Sequence, residues 1–472
     1  MRSCSRRRPR SPGAPDRDLA VRGLGRSGPS PVRVRFSALA ERLRGSLFVV
    51  PTVYLVAGIV IGQASIKLDD IIGDRALRLP FVLTSTVQSA RAVLTTIAGA
   101  TITAAGISFS VSLLTIQLAA SQYSPRVVGG LFRDSFNKRV IGVVVGTFSY
   151  CLIVLRAVRS PAEQQGQAVI PNVSVAIGVV LGIAAVLAII AFISHNAHAM
   201  DITEILGGLT RDAIQEIDRQ WSADELEASP VQRPEVVPTG ASLTVELDQH
   251  GWVQLLDQVA IVKSAPEGAT VRLETAVGRY ALTGSPLCTI WPEPPDRDET
   301  TSRIRTAIQL GETRTLQQDP AYGVRQLADV ALKALSPGVN DPTTAQDAIF
   351  HMGAVLRTLL QQEPPARDLT LGSRRLILEQ VGGHEDLLSL AFDEIRLVAA
   401  AMPTVCVYLL ESLSLIARSL DPKQHEANAG RLRHHADLVV RACERTNPSP
   451  EDIAPLHAVY ARHFGPYADP RR

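Results

Sequence analysis

The sequence predicts a membrane protein with four transmembrane helices, followed by a small β barrel-sandwich-like module and an all-α cytoplasmic domain. Hydrophobic residues make up 46% of the 472 residues, which is high for a wholly soluble protein of this length. They are concentrated between about residues 46 and 195. Beyond this region the apolar residues first alternate with a period of two and then recur every three to four positions, as in strands and amphipathic helices.

Residues 1–40 form an N-terminal tail that is rich in Arg, Pro, Ser and Gly and has no apolar periodicity. A segment of this composition cannot bury enough apolar surface to fold, so we expect a disordered basic tail. The formal net charge of the whole chain is only +2. A charge this small gives no reason to expect a nucleic-acid partner.

Residues 41–200 are predicted to form the membrane domain. Four apolar segments are each near the length that crosses a ~30 Å hydrocarbon core, and they predict helices at about 46–64, 92–121, 140–158 and 169–195. Four buried helices of a soluble core are the alternative, but these segments lack the charged stripe of soluble surface helices. The arginine-rich tail places the N-terminus in the cytoplasm. Four crossings then return the C-terminus to the same side.

The second predicted helix carries one stripe of small and polar residues at spacings of three and four, with one turn skipped before the last: Thr96, Gly99, Thr103, Gly106, Ser110 and Gln117. Such a stripe is typical of close helix–helix packing in membranes. The alternative interpretation is that the stripe lines a hydrated path. No charged residue lies in the middle of this helix, which disfavours an ion-coupled carrier.

Two groups of residues flank the membrane helices. Arg126 and Arg133 follow the second helix, where they could hold anionic lipid headgroups or anchor the helix end. His195, His198 and Asp201 lie near the end of the fourth helix at spacings that suit a metal ion, but no fourth ligand is near in the sequence. We therefore predict neither a metal nor a cofactor.

The region after the membrane domain divides into three parts. Residues 201–240 are predicted to be an amphipathic helix and a linker, and residues 301–465 a helical domain. Short alternating runs over 241–295 predict the β module. It ends in "GRYALTGSPLCTIW", which is similar to the closing hairpin of biotinyl- and lipoyl-type domains.

Two polar turns stand out in the predicted helical domain. "SPGVNDPTT" stops one helix and starts the next, with Asp341 placed as N-cap before Pro342. Caps leave several polar residues of the two turns unexplained. An open helix start with hydroxyls and an arginine suits a small anion, so the predicted ligand residues are Arg314, Gln318, Asn340, Asp341, Thr343 and Thr344. The alternative is that both turns are purely structural.

The motifs "ISFSVSLLTIQLAASQYSPR", "GTFSYCLIVLRAVR", "SPLCTIW" and "GETRTLQQDPAYGVRQLADVALKALSPGVNDPTTA" resemble the bacterial membrane-protein family known as domain of unknown function 2254. The resemblance covers about residues 40 to 445. It implies an integral protein of the bacterial inner membrane with a cytoplasmic C-terminal region. It implies no activity, because that family is defined by sequence alone.

The residues themselves indicate no enzyme. No nucleophile elbow, P-loop, dinucleotide fingerprint or zinc motif is present, and Asp347 and His351 are an acid–base pair by spacing only. Our preferred hypothesis is a channel-like or gated membrane module that works as a homo-oligomer and senses a small anionic ligand or a partner in the cytoplasm. The alternatives are a membrane-anchored scaffold or signalling protein, and a membrane-bound enzyme.

Overall fold

A computed structural model describes residues 48–72, 86–122, 135–159, 170–198, 201–221, 227–228, 238–362, 366–379, 382–421, 426–447 and 449–466. The predicted tail, residues 1–40, lies outside this part of the chain. The described residues form a bundle of four long helices, two small sheets and a second group of helices.

The bundle consists of α1 (Val49–Ile72), α2 (Val87–Gln122), α3 (Ser135–Ala157) and α4 (Asn172–His198). All four are long and apolar enough to cross a membrane, which confirms the four predicted spans. Three of the helices are longer than predicted by five residues or more at one end. In α1, for example, the helix continues past Lys67 and Asp69, where the apolar run has already ended. Charged residues such as lysine end an apolar run but are good helix formers, so the helix extends beyond the segment that hydropathy identifies.

Helix α3 lies at the centre of the bundle. Half of its apolar window is buried, against 17% to 22% for the other three helices. The α1–α3 contact depends on glycines, because a Cβ atom at Gly58 would lie only 2.3 Å from the carbonyl oxygen of Gly146. The two backbones therefore approach as closely as small residues allow, which is how helices associate in lipid.

After the bundle, helix α5 (Ile202–Trp221) occupies the position of the predicted amphipathic helix. Its apolar stripe does not face solvent. Leu206, Ala213 and Ile217 are fully buried in the core of the C-terminal helices. Helix α5 is thus part of the C-terminal domain rather than a free linker.

Nine short strands form two sheets. They are β1 (Glu227–Ala228), β2 (Leu243–Glu246), β3 (Gly251–Leu256), β4 (Thr270–Leu273), β5 (Tyr280–Ala281), β6 (Pro286–Trp291), β7 (Ile308–Gly311), β8 (Asp368–Leu371) and β9 (Arg374–Ile377). The larger sheet has the order β1-β8-β9-β4-β6-β2, and the smaller has the order β5-β3-β7. All pairs are antiparallel except β4 with β9.

The described strands form two open sheets, so the predicted barrel-sandwich is not observed. The predicted closing hairpin is divided between the sheets, because β5 pairs with β3 whereas β6 pairs with β2 and β4. The sheets enclose one core with Val253, Val271 and Ile290, joined by residues of the short helices α6 (Gln258–Ser264) and α7 (Arg297–Thr306).

The remaining helices are α8 (Pro320–Ala334), α9 (Pro342–Leu360), α10 (His384–Ala399), α11 (Pro403–Ser419), α12 (Glu426–Thr446) and α13 (Pro450–Phe464). The prediction that residues 301–465 are all helical is wrong at β7, β8 and β9. These four-residue strands complete sheets that begin in the preceding module. β8 and β9 form a local hairpin with each other, but the strands that join them and β7 to the sheets, β4 and β3, are distant in sequence.

Candidate functional site

The first polar turn, residues 311–323, joins the C-terminal helices to the sheets. The guanidinium group of Arg314 donates to both carboxylate oxygens of Asp319, at 2.5 Å and 3.0 Å. The same group lies over the ring of Tyr322, 5.3 Å from its centroid. Asp319 in turn caps α8 by accepting from the backbone N–H of Tyr322. Arg314 is therefore paired with a carboxylate of its own turn.

Gln318 connects the polar turn to β3 and to α5. Its side chain accepts from the backbone N–H of Leu256 at 3.0 Å and donates to the carbonyl oxygen of the same residue at 3.3 Å, which extends the end of β3 by one pair of hydrogen bonds. Its backbone N–H donates to Glu216 of α5 at 2.8 Å. Glu216 is buried and also accepts from Arg219. With φ at +56°, Gln318 occupies the left-handed region that this geometry requires.

A glycine turn between β4 and β5 closes over this junction. Gly278 has φ of +83°, and a Cβ atom there would lie 2.3 Å from the carboxylate of Asp319. Burial raises the pKa of Asp319, while the bond and the positive charge of Arg314 act in the opposite direction. The pair is consequently a structural joint, and its arginine is engaged by a carboxylate of the same chain.

The second polar turn, residues 336–344, ends α8 and begins α9. Asn340 has φ of +49°, and its N–H donates to the carbonyl oxygen of Ser336 at 2.9 Å. Asp341 is the N-cap: it accepts from the N–H of Thr344 at 3.1 Å and from the Thr344 hydroxyl at 2.6 Å. These bonds, the hydroxyl bond first, lower the pKa of Asp341. Asn340 and Thr343 are exposed.

The structure does not bring the two turns together. They lie at opposite ends of α8, whose 15 residues correspond to a length of roughly 22 Å. Arg314 and Gln318 are at its start, whereas Asn340, Asp341 and Thr344 follow its end. A small anion at one turn cannot reach the other. Because one helix separates the two turns in the sequence, the distance between them could have been expected from the sequence.

The predicted stripe on α2 faces away from the other three helices. Its six residues are exposed, whereas the opposite face, with Leu94 and Ala98, is buried in the bundle. Space is open where Cβ atoms at Gly99 or Gly106 would be. Three hydroxyls of the stripe donate to carbonyl oxygens of α2 itself, at 2.8 Å to 3.0 Å: Thr96, Thr103 and Ser110.

Sequence reasoning missed the contact between the membrane helices and the C-terminal domain. Ala119, near the end of α2, is fully buried against Ile202 and Ile205 of α5. On α5, the Thr210 hydroxyl and Nδ1 of His351 on α9 are 2.9 Å apart. His351, considered above with Asp347, therefore helps to hold α5 against the C-terminal helices. The signal that could have revealed this contact is the apolar stripe of α5.

A polar network at the other end of the bundle was also missed. Asp69 of α1 caps α4, accepting from the N–H groups of Val173 and Ser174 at 2.9 Å each and from the Ser174 hydroxyl. The Tyr150 hydroxyl donates to the carbonyl oxygen of Ser174. A carboxylate at a helix N-terminus is favoured by the helix dipole.

The other predicted residues follow α2 in the sequence or belong to α4. Arg126 and Arg133 lie outside the described residues. The ring of His195 packs against Phe136, with centroids 4.5 Å apart. Within the described part of the chain, no three His, Cys, Asp or Glu side chains group in a way that could hold a metal.

Comparison with known proteins gives three similar relatives, one from Mycobacterium bovis and two from strains of Mycobacterium tuberculosis. Each is an uncharacterized protein that is 29% identical over 442 residues, which cover 91% of this chain and 82% of the relative. No solved structure matches the chain.

A family model described as "Predicted membrane protein (DUF2254)" matches residues 44–414. The match includes all four apolar helices, both sheets and most of the C-terminal helices up to α11. The chain therefore belongs to the DUF2254 family of predicted membrane proteins, as the sequence motifs had indicated.

Proposed function

We propose that this protein is a channel-like or gated module of the bacterial inner membrane, with both termini in the cytoplasm, and that it acts as a non-enzymatic homo-oligomer. One observation carries the proposal: the small and polar stripe of α2 faces outward from its own bundle. A helix whose polar stripe points away from its own bundle can line a hydrated path only where several copies of the chain assemble around an axis.

The two faces of α2 differ in exposure, which supports this arrangement. The inner face is covered by the bundle, both at apolar residues such as Leu94 and at the hydroxyl-bearing residues Thr101 and Ser108. The outer face presents Gly99 and Gly106, beside which a neighbouring helix has room. Gln117 is exposed, and an amide that faces lipid requires water or a polar partner. In an assembly in which α2 faces the axis, a neighbouring copy can pack beside the glycines and water can reach Gln117.

The C-terminal domain is the regulatory half of the proposal. It packs on α2 through α5, so a partner that binds the domain can act on the helix that lines the path. The small anion predicted for the two turns is not part of the proposal, because Arg314 is paired with Asp319 and the Thr344 hydroxyl is bonded to Asp341.

Cysteine accessibility tests the hydrated path. Cysteine substitutions at Thr103, Gly106 and Ser110 are expected to react with a membrane-impermeant thiol reagent in intact membranes. The control is Val111→Cys, which is exposed on another side of α2 and should face lipid and stay unreactive. Equal reactivity at all four positions would remove the support for a path along the stripe.

Solute flux tests transport itself. Proteoliposomes with the wild-type chain should release a small fluorescent or ionic solute, and Gln117→Leu should change the rate. No flux, together with a harmless Gln117→Leu, would exclude the pore and leave a membrane-anchored scaffold or signalling protein. That second candidate is favoured by the continuous packing from Ala119 through α5 into the C-terminal core.

A further inference from the structure

The bundle holds a second candidate site at the end that lies away from the C-terminal domain. An open cavity of about 560 Å³ lies between the start of α2 and the end of α3, lined by Arg91, Thr95, Leu155, Arg156, Val158 and Arg159. We propose that this cavity binds a phosphate-bearing anion, supplied by the headgroup of an anionic phospholipid or by free phosphate. The proposal is independent of the channel function.

The charge of the cavity supports an anionic ligand. Three of its six lining residues are arginines, and no lining residue is acidic. Arg156 and Arg159 are exposed, and neither forms an ion pair with any residue that the structure describes. The like charges of these two arginines at one opening repel each other, and a bound anion relieves that repulsion.

The geometry suits a phosphate group in particular. Arg91 donates from Nη2 to the backbone carbonyl oxygen of Val158 at 2.9 Å. This bond joins α2 to the residue that follows α3 and fixes one side of the cavity. Guanidinium groups bind phosphate oxygens through pairs of parallel hydrogen bonds, which an ammonium group cannot reproduce. The hydroxyl of Thr95 adds a neutral donor to the same lining.

The position of the cavity favours a lipid as the source. Its arginines lie at the ends of two helices that are apolar enough to cross a membrane, and basic residues at such ends can contact the phosphates of anionic lipids. Leu155 gives the lining an apolar part against which the first carbons of an acyl chain can pack. Ordinary snorkelling of arginines to the interface is the competing explanation, and it requires no selectivity among headgroups.

Native mass spectrometry of the purified full chain in detergent can separate these explanations, with melting temperature as a second measurement. The added ligands are phosphatidylglycerol, phosphatidylcholine with the same acyl chains, and inorganic phosphate. The variants are the double substitutions Arg156→Gln with Arg159→Gln and Arg156→Lys with Arg159→Lys. The matched control is Lys67→Gln, an exposed basic residue at the same end of the bundle that does not line the cavity.

The wild-type chain should retain phosphatidylglycerol in preference to phosphatidylcholine. The glutamine variant should lose apparent affinity by about tenfold for each arginine removed, the effect of one charge-assisted hydrogen bond. The lysine variant should fall between the two, and Lys67→Gln should bind as the wild type does. If inorganic phosphate alone raises the melting temperature of the wild type but not of the glutamine variant, the site holds and its ligand is soluble.

Two results would overturn the proposal. Equal retention of both lipids by the wild type and the glutamine variant, with no effect of phosphate, would show that the arginines only anchor the helix. An equal loss in Lys67→Gln and in the glutamine variant would show that total surface charge, and not this cavity, attracts the lipid.

Discussion

The membrane bundle and the C-terminal helical core solve the same packing problem with different side chains. In the bundle the closest contact is between glycines, with Gly58 against Gly146, and the surrounding residues are hydrogen-bonded, as Ser149 is to the carbonyl oxygen of Leu55. In the C-terminal core the buried residues are large and aliphatic or aromatic, such as Leu356 and Phe392. The two regions are thus held together by different forces.

The difference follows from the surroundings. In water, burying a large apolar side chain contributes about 1.5–3 kcal/mol, so the C-terminal core is stabilised by side-chain size. In lipid there is no such gain, because the acyl chains are as apolar as leucine. The bundle is therefore stabilised by close approach and by polar bonds. Adding volume should consequently destabilise the bundle, whereas removing volume should destabilise the C-terminal core.

The largest expected effect is from adding volume to the bundle. In Gly58→Val, the new Cβ atom would lie 2.3 Å from the Gly146 carbonyl oxygen and 2.4 Å from the Ser149 hydroxyl. We expect a loss of more than about 3 kcal/mol, seen as aggregation or a much lower melting temperature in detergent. The control is Gly106→Val, which has open space around it. Equal melting temperatures for the two variants would contradict the α1–α3 contact.

The next effect is from removing volume in the C-terminal core. Phe392 is fully buried on α10, so Phe392→Ala should cost about 3–5 kcal/mol through lost burial and a cavity. Leu397→Ala on the same helix removes a side chain that is 65% exposed and should change stability by less than about 0.5 kcal/mol. Hydrogen–deuterium exchange of α10 measures both. Similar protection in the two variants would contradict the placement of this core.

A smaller effect separates the two capping aspartates. Asp319→Ala removes both a helix cap and the partner of Arg314 in a buried setting, for about 2–3 kcal/mol. Asp341→Ala removes only a more exposed cap, for about 1 kcal/mol. Denaturant titration compares them, and Asp319→Asn, which can still cap, isolates the charge. If Asp341→Ala were the more damaging, the Arg314–Asp319 pair would not be the structural joint described here.

The smallest effect concerns pH. His435 of α12 is buried, and Glu385 and Asp393 of α10 lie 3.3 Å and 3.9 Å from its ring nitrogens. Burial lowers its pKa, and the neighbouring His434 acts in the same direction, while the two carboxylates oppose them. Below the ordinary value of 6.5 the unfolded chain therefore binds a proton that the folded chain does not.

Stability should in consequence fall as the pH drops from about 6.5 towards the lowered pKa, by up to about 1.4 kcal/mol per pH unit for one proton. Melting temperatures measured between pH 7 and pH 5 test this, with His435→Gln expected to flatten the dependence. Burial also lowers the pKa values of His351 and His384, so a smaller slope should persist. An unchanged slope in His435→Gln would show that other histidines cause the effect.

The membrane region could be predicted well because its signals are local. A run of apolar residues identifies each span, and Asp319 and Asp341 before prolines predict the caps that begin α8 and α9. The sheets could not be predicted, because β3 pairs with β7 about 55 residues later and β4 pairs with β9 about 105 residues later. Nothing within a four-residue strand specifies a partner at that distance.

The candidate site was predictable only in part, for a related reason. The polar stripe of α2 can be recognised in the sequence from its spacing. Whether it faces inward or outward depends on which face of α2 the neighbouring helices cover. Likewise, Gln318 looks like a spare polar residue until β3 is placed beside it. Arg314 is the exception, because a capping aspartate five residues later is a partner that the sequence itself offers.

The contact between α2 and α5 has a mechanical consequence. The 36 residues of α2 make a rod of roughly 54 Å, far longer than the ~30 Å hydrocarbon core. The angle at which such a rod crosses depends on bilayer thickness. Ile202 and Ile205 rest on the far end of this rod, at Ala119. Because α5 is packed on this end, a change in the tilt of α2 should move the C-terminal domain with it.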